Sequence, residues 1–364
     1  MVTGVSVNGA TAVAALADPL PEGDHWAVLR ERAVAALEAV EGIASAHVDV
    51  REMTEDEKVA VARVLKGEPP LETLAIDPLA VADASVAADD HGHGHGPARV
   101  NPFTDSRTRI LAIASGKGGV GKSSVTCNLA IALAARGRRV AVIDADVWGF
   151  SMPRMLGIRE PPGLIDDVIV PPEAHGVRLI SMGFFAREDQ AVIWRGPMLH
   201  KALEQFLTDV YWGSLDYLVV DMPPGTGDVA LSMSQFLPRA EVVIVTTPQP
   251  AAQKVAQRAA AMAAKVSLDV IGVIENMSWF RGDDGKAYEI FGADGGGELA
   301  DQLGVPLLGK IPLVPQLRAG GDEGAPIVVT NPEDEASQVF GLVAETIDVQ
   351  LKPKKLSHPE LRIS

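Results

Sequence analysis

Gly116-Lys117-Gly118-Gly119-Val120-Gly121-Lys122-Ser123 is a glycine-rich segment that follows an apolar run and opens a stretch with helical patterning. A strand, then a glycine-rich loop, then a helix is the setting that a phosphate-binding P-loop requires. The glycines let backbone N–H groups approach phosphate oxygens, and the helix N-terminus adds positive potential. The segment therefore predicts a nucleotide-binding domain of the α/β class.

The side chains of this loop have predicted roles that follow from phosphate chemistry. Lys122 is expected to reach the β- and γ-phosphates, and the Ser123 hydroxyl is expected to bind Mg²⁺. The loop backbone from Gly116 to Ser123, together with Ser124, completes the predicted nucleotide contacts. ATP and Mg²⁺ are the predicted cofactors, and Mg²⁺-dependent hydrolysis of ATP to ADP and phosphate is the predicted reaction.

Short apolar runs alternate with helical patterns from Arg109 onward, which is typical of a parallel sheet covered by helices on both faces. The predicted strands are 110–115, 140–144, 178–182, 217–221, 242–246, 270–275 and 307–310. The predicted helices are 122–136, 198–210, 229–236, 251–265, 296–303 and 334–349. We therefore expect a P-loop ATPase domain over residues 107–349, followed by a tail of residues 350–364.

Two acidic motifs stand where predicted strands end. Asp144-Ala145-Asp146 ends the second strand, and Asp221 ends an apolar strand in the Walker B pattern. Ligands of open α/β sheets bind at the carboxyl edge, where these strands end. One acid of the first motif can hold Mg²⁺ through water, and the other can position the attacking water. The Pro-Gly-rich residues 222–228 are predicted to sense the γ-phosphate.

Residues 1–67 predict a small α+β domain in front of the ATPase. Its predicted elements are strands 2–7, 11–16 and 46–51 and a helix over 26–40. Asn8-Gly9 is a hairpin turn signal, and Thr54 with Glu57 forms a capping box for a helix running to Leu65.

Residues 68–106 lose periodicity and gain Pro, Gly, Asp and Ala, which predicts a flexible linker. The linker contains His91, His93 and His95, which alternate with glycine. Neutral imidazole is a common metal ligand, yet no fixed backbone presents these three side chains. A flexible spacer is therefore the preferred interpretation over a metal site.

A net charge of −16 sets limits on the partners. Phosphate-rich surfaces repel an acidic chain, so the charge argues against nucleic-acid binding and against stable membrane association. The single cysteine, Cys127, rules out an intramolecular disulfide and fits a reducing compartment. The chain lacks an apolar run of membrane-spanning length, and its start lacks a signal-peptide pattern. We therefore expect a cytoplasmic protein.

Lys117 departs from an ordinary P-loop. A lysine one residue after the first glycine resembles the deviant Walker A motif, KGGxGK[ST], of the family that contains the nitrogenase iron protein, the Min and Par positioning ATPases and the Mrp proteins. The resemblance implies a homodimer joined through nucleotide, in which Lys117 contacts the partner's nucleotide and acts with Lys122 in catalysis. A cation supplied in trans completes charge neutralisation only when two subunits close.

The same resemblance implies roles for five further residues. Asp144 and Asp221 are assigned to Mg²⁺, and Asp146 is assigned to catalysis. Asn276 and Pro312, each just after a predicted strand, resemble positions that contact adenine.

Four longer motifs resemble the Mrp/ApbC branch, whose ATPases are implicated in carrying iron–sulfur clusters to apoproteins. They are Trp194-Arg195-Gly196-Pro197-Met198, Asp221-Met222-Pro223-Pro224-Gly225-Thr226-Gly227-Asp228, Thr247-Pro248-Gln249-Pro250 and Glu275-Asn276-Met277-Ser278. The resemblance implies a protein of cluster assembly, with recipient apoproteins or assembly proteins as partners. Residues 1–67 resemble the MIP18-like domain often fused ahead of Mrp ATPases, without its opening helix.

One departure from the Mrp pattern concerns the binding of an iron–sulfur cluster. Mrp-type carriers bear Cys-x-x-Cys shortly after Glu-Asn-Met-Ser, whereas this chain has no cysteine in Trp279–Lys286. Asp283 and Asp284 are candidate oxygen ligands in that segment, but paired acids in a loop usually form only a turn. Clusters are normally held by thiolates, so the cluster ligands stay unknown. Two alternatives stay open at this point: an ATP-gated scaffold or metallochaperone that holds no cluster itself, and a ParA/MinD-like positioning ATPase.

Overall fold

The protein, described by a computed structural model, forms two compact units. The first comprises Met1–Arg99 with Gly163–Val170, and the second comprises Val100–Pro162 with Pro171–Ser364. The structure describes residues 2–8, 10–18, 24–40, 42–54, 57–58, 61, 101–104, 106–146, 149–165, 168–185, 196–225 and 228–353. The histidine run and most of the predicted linker and tail lie outside these residues, and the predicted domain boundaries stay predictions.

The N-terminal part of the first unit is a three-stranded sheet with one helix. Its elements are β1 (Val2–Asn8), β2 (Thr11–Asp18), α1 (Asp24–Glu38) and β3 (Ser45–Glu52). β2 lies in the centre, antiparallel to β1 and parallel to β3. Ala14 and Leu16 of β2 pack with Val48 and Val50 of β3, and α1 contributes apolar side chains that include Trp26. The predicted α+β unit is confirmed.

The predicted capping box is present at the end of this unit. Glu57 N donates to Thr54 Oγ1 at 3.3 Å, and Thr54 N donates to Glu57 Oε2 at 2.9 Å. This reciprocal pairing satisfies backbone donors at a helix start. The predicted course of that helix to Leu65 lies largely outside the described residues.

The remaining described chain alternates strands and helices. The strands are β4 (Arg109–Ser115), β5 (Val140–Asp144), β6 (Gly163–Ile165), β7 (Val168–Val170), β8 (Glu173–Ala174), β9 (Val177–Ser181), β10 (Tyr217–Asp221), β11 (Glu241–Thr246), β12 (Asp269–Asn276), β13 (Phe280–Arg281), β14 (Ala287–Tyr288) and β15 (Leu307–Ile311). The helices are α2 (Lys122–Ala135), α3 (Met152–Met155), α4 (Gly196–Thr208), α5 (Asp228–Phe236), α6 (Pro250–Lys265), α7 (Gly295–Leu303), α8 (Pro315–Glu323), α9 (Ile327–Thr330) and α10 (Glu335–Glu345).

An eight-stranded sheet organises the second unit, in the order β15-β12-β11-β4-β10-β5-β9-β8. Its strands pair in parallel except β8, which runs antiparallel to β9 at one edge. Every residue of β5, β10 and β11 is buried, because helices cover the sheet. The predicted parallel α/β domain is confirmed. The two-residue strand β8 was not predicted, because it is too short to show a hydrophobic period.

Among the described residues, no helix combines the length and the apolar character that a membrane crossing requires.

The chain after α10 is anchored at the amino ends of the strands. In the turn Thr346–Gln350, Asp348 accepts hydrogen bonds from Arg138 Nε at 2.9 Å and from Tyr217 Oη at 2.9 Å. Burial opposes ionisation of Asp348, but the hydrogen bonds from Arg138 and Tyr217 outweigh it and lower the pKa of this carboxyl group. The buried carboxylate therefore fastens this turn to the sheet.

We expect Asp348→Asn to lower the free energy of unfolding by about 1–2 kcal/mol at neutral pH, because it weakens charge-assisted hydrogen bonds to a half-exposed arginine. A lowered native pKa stabilises the fold above the unfolded-state pKa, and this contribution is lost as the pH falls through the native pKa. The difference between parent and variant should therefore shrink in acid. Urea unfolding of nucleotide-free protein at neutral and acidic pH measures it.

Asp322→Asn is the matched control, since Asp322 is exposed and pairs with exposed Arg154 and Arg318. Exposed ion pairs contribute little to stability, so the free energy of unfolding should change by less than about 0.5 kcal/mol. Equal effects of the two substitutions would contradict the anchoring role of Asp348.

Candidate nucleotide-binding site

The glycine-rich loop joins β4 to α2 in the conformation that a phosphate cradle needs. Gly119 and Gly121 have φ values of 79° and 81°, in the left-handed region that favours glycine. Ser115 Oγ donates to Lys117 O at 3.1 Å and stabilises the first bend of the loop. α2 begins at Lys122, so its free backbone N–H groups face the loop.

Two glycines let the loop pack closely against its neighbours. A Cβ on Gly116 would lie 2.2 Å from the backbone carbon of Val255 in α6. A Cβ on Gly121 would lie 2.2 Å from Asn276 Nδ2 at the end of β12. Both separations are too short for real atoms, so these positions require glycine, and the loop is held between α6 and β12.

A cavity of about 400 Å³ opens over the loop. Such a volume suits a small-molecule site. The predicted residues that line it are Lys117, Gly118, Gly119, Gly121, Lys122, Ser123, Ser124 and Asp146. Gly116, Val120, Asp144, Asp221, Asn276 and Pro312 are not among the lining residues.

Lys122 lies at the centre of a buried charge cluster. Its Nζ is 2.8 Å from Asp221 Oδ2 and 3.8 Å from Asp146 Oδ2. Ser123 Oγ donates to the same Asp221 oxygen at 2.6 Å. The structure thus brings together the loop lysine, the loop hydroxyl, the Walker B acid and the second acid of the Asp144–Asp146 motif. Their oxygen atoms form a donor set of the kind that Mg²⁺ prefers.

Asp144 is completely buried behind this cluster and orders the chain that follows β5. Its Oδ2 accepts from Ser181 Oγ at 2.9 Å and from the backbone N–H groups of Ser151 and Met152. Its Oδ1 accepts from Asp146 N at 3.3 Å. Burial, with the nearby charge of Asp221, raises the pKa of Asp144. Asp144 therefore positions the segment that carries Asp146.

Thr126 and Ser181 were missed by the sequence reasoning. Thr126 Oγ1 donates to Asp221 Oδ1 at 2.6 Å, one helical turn after Lys122. Ser181 ends β9 and donates to Asp144. Thr126 lies on the inner face of α2, and Ser181 lies at the carboxyl edge of the sheet. These positions could have identified both residues as candidates for the site.

Lys117 is half-buried at the wall of the cavity, and its Nζ donates to Gln249 Oε1 at 3.2 Å. Gln249 is the N-cap residue of α6. Within the described ranges, no carboxylate lies within 4.0 Å of the Lys117 ammonium group. Among the residues that the structure describes, one hydrogen bond to a neutral amide therefore holds the lysine.

Asn276 contacts the loop backbone rather than the open cavity. Its Nδ2 donates to Val120 O at 2.9 Å, while its buried Oδ1 has no hydrogen-bond partner in the part of the chain that the structure describes. Pro312 is buried directly after β15, the strand that pairs with β12. The amide orientation of Asn276 is thus set by the loop, and an acceptor is left unused.

The segment in place of Cys-x-x-Cys is a short hairpin, β13–β14. Asp284 accepts from Lys286 N at 3.0 Å and from Tyr288 Oη at 2.8 Å, as a turn-forming acid does. The described part of the chain has no group of three His, Cys, Asp or Glu residues arranged to hold a metal ion. Cys127 is buried inside α2, and burial raises the pKa of its thiol. Cys127 is therefore a packing residue of the hydrophobic core.

Comparisons with known proteins agree with this geometry. The family model described as "ParA: NUBPL iron-transfer P-loop NTPase" matches residues 106–348. The iron-sulfur cluster carrier protein of Mycobacterium tuberculosis strain H37Rv is 49% identical over 259 residues, which are 69% of this chain and 68% of that protein. The carrier protein of Mycobacterium leprae is 44% identical over 309 residues, covering 83% of this chain and 74% of that protein.

The second unit is also similar to a solved structure. A nucleotide-binding protein from Archaeoglobus fulgidus in complex with ADP is 32% identical, with a TM-score of 0.55, and the match covers 64% of this chain and 91% of that chain. Motif, fold and sequence relatives thus agree. The chain belongs to the ParA/NUBPL family of iron-transfer P-loop NTPases.

Proposed function

We propose that this protein hydrolyses ATP with Mg²⁺ and uses the nucleotide cycle to gate the transfer of iron–sulfur clusters to apoproteins. The observation that carries the proposal is the cluster of Lys122, Ser123 and Asp221 beneath the cavity of a deviant P-loop. The relatives named iron-sulfur cluster carrier protein support iron–sulfur clusters as the cargo. They also favour a role in cluster transfer over the role of a positioning ATPase.

The predicted nucleotide contacts suit this chemistry. Lys122 is proposed to exchange its contact with Asp221 for the β- and γ-phosphates when nucleotide enters. Ser123 and Asp221 are proposed to hold Mg²⁺, directly or through water, because the ion keeps several waters and prefers oxygen ligands. Asp144 is proposed to support the Mg²⁺ site mainly by fixing the segment that follows β5. Asp146, which lines the cavity, is proposed to orient the attacking water.

Adenine selection is proposed to depend on Asn276. Because Nδ2 donates to Val120 O, Oδ1 is the acceptor that this amide can offer, although in this structure it is buried outside the open cavity. The proposal therefore requires Oδ1 to become accessible when nucleotide binds. An acceptor complements the amino group of adenine, whereas the carbonyl oxygen at the equivalent position of guanine would leave two acceptors facing each other. This supports ATP over GTP as the substrate, with Pro312 beside the base.

The cluster is proposed to be coordinated with thiolates from a partner protein. The chain has one cysteine, and Cys127 is enclosed by the helix that follows the P-loop. Two subunits would supply two such thiols, whereas typical cysteine-ligated clusters use four. The chain therefore supplies the nucleotide-driven step, and a cysteine-bearing partner supplies the ligands.

We expect the isolated protein, reconstituted anaerobically with iron and sulfide, to retain less than a stoichiometric cluster. With a cluster-loaded donor and a cysteine-bearing apoprotein, transfer should become faster with Mg-ATP than without nucleotide, because closure of the subunits gates the exchange. Visible absorption, iron counting and recovery of apoprotein activity measure these outcomes.

Cys127→Ala is the control, and it should leave transfer unchanged because the thiol is buried. A stable cluster on the parent that is lost in Cys127→Ala would overturn the partner-ligand proposal. Transfer at the same rate with and without ATP would overturn the gating function.

A further inference from the structure

We propose that Gln249 is a positioning residue that holds Lys117 on its own subunit and so sets how readily two subunits close on nucleotide. The inference rests on the proposed action of Lys117 in trans. In the single chain the Lys117 ammonium group donates to Gln249 Oε1 at 3.2 Å. A lysine that serves the partner's nucleotide must first leave this contact.

The chemistry of the holding group suits a contact that forms and breaks. Gln249 offers a neutral amide oxygen, and in the described structure no carboxylate reaches the ammonium group. A hydrogen bond from a cation to a neutral acceptor is weaker than one to a carboxylate. Phosphate oxygens, which are charged, therefore compete successfully with Gln249 for Lys117.

The backbone makes the position of this contact reproducible. Gly116, next to Lys117, lies against the backbone of Val255 and Ala256 so closely that a Cβ would be 2.2 Å from Val255. Gln249 caps the same helix, α6. The loop and the helix that carry the two side chains are thus packed directly on one another, and this packing fixes the distance between Lys117 and Gln249.

Changing the charge of the holding group tests the inference. Gln249→Glu replaces the neutral acceptor by a carboxylate, which binds the ammonium group more strongly. Two lysines must leave this acceptor for each dimer that closes, so the protein concentration that gives half-maximal ATP hydrolysis should rise about tenfold for the two contacts together. Gln249→Ala removes the acceptor and should lower that concentration. The plateau rate at saturating protein should stay near the parental value in both, because Lys117 has left Gln249 in the closed dimer.

Ionic strength and a matched variant distinguish a charge effect on Lys117 from a general structural effect of the substitution. The shift in Gln249→Glu should shrink as salt rises, since salt screens the new ion pair. Gln257→Glu places the same charge two turns along α6, where Gln257 bonds Gln302, and should leave the concentration curve unchanged. ATP binding should be the same in all three variants.

Three results would overturn the inference: an unchanged half-maximal concentration in Gln249→Glu, an equal shift in Gln257→Glu, or a lost plateau rate in both Gln249 variants. The last would place Gln249 in the closed site instead. Failure of the proposed action of Lys117 in trans gives a different result, because Lys117→Ala would then hydrolyse ATP at the parental rate, and the inference would fall with it.

Discussion

Substituting Lys122 by methionine should reduce ATP hydrolysis by about a thousandfold or more. Methionine keeps most of the side-chain volume but removes the cation that lies 2.8 Å from Asp221 and 3.8 Å from Asp146. Without this cation, the charge that develops on the transferred phosphoryl group loses the lysine proposed to neutralise it, and the neighbouring carboxylates stay in place. Phosphate release at saturating Mg-ATP measures the loss.

Lys265→Met is the control for this change, since Lys265 is in the last turn of α6, away from the cavity. It should hydrolyse ATP at the parental rate. Loss of the Lys122 cation also leaves Asp221 less compensated, so the fold of each variant is checked by its urea transition. A folded Lys122→Met protein with parental turnover would remove Lys122 from the proposed catalytic group.

Lys117→Ala should bind ATP and yet lose hydrolysis, because the lysine is proposed to act on the partner's nucleotide. Mixing it with Lys122→Ala should restore activity that neither variant has alone. In a mixed dimer, the site with an intact Lys122 receives Lys117 from the other subunit. Random pairing of equal amounts, with one competent site in each mixed dimer, gives roughly a quarter of the parental rate.

Lys286→Ala, an exposed lysine in the β13–β14 hairpin, is the control and should retain full activity. Sedimentation with and without ATP reports whether nucleotide joins the subunits. Parental activity of Lys117→Ala alone, together with the same monomer in both conditions, would contradict a dimer closed through nucleotide.

The fold of the second unit was predictable because its signals are local. β5, β10 and β11 are short and mostly apolar, as the interior of a strand buried on both faces has to be. The glycine pattern of residues 116–121 is also a local signal. Left-handed backbone and close contacts exclude other residue types at several of these positions, so the pattern predicts the loop. Elements of two residues, such as β8 and β13, carry no period and could not be predicted.

The assembly of the site was predictable only in outline. Asp144 and Asp221 end neighbouring parallel strands, and Asp146 follows the first of them by two residues, so their meeting at one edge follows from the sheet. The different hydrogen-bond partners of these acids do not follow from the order of the strands. Asp221 pairs with Lys122, Ser123 and Thr126, whereas Asp144 binds Ser181 and the backbone of the next segment. These contacts join elements far apart in the chain, and side-chain packing alone selects them.

The sequence alone predicted a P-loop NTPase and the order of the main strands and helices, and it showed that a cysteine pair is absent, because residue type and spacing carry that information. From the tertiary structure came the burial of Cys127, the turn-forming role of Asp284 and the contact between Lys117 and Gln249. Residues 117 and 249 are distant in the chain, and they meet because Gly116 lets the loop pack against α6. Such a contact depends on the packing of whole elements, which no local pattern encodes.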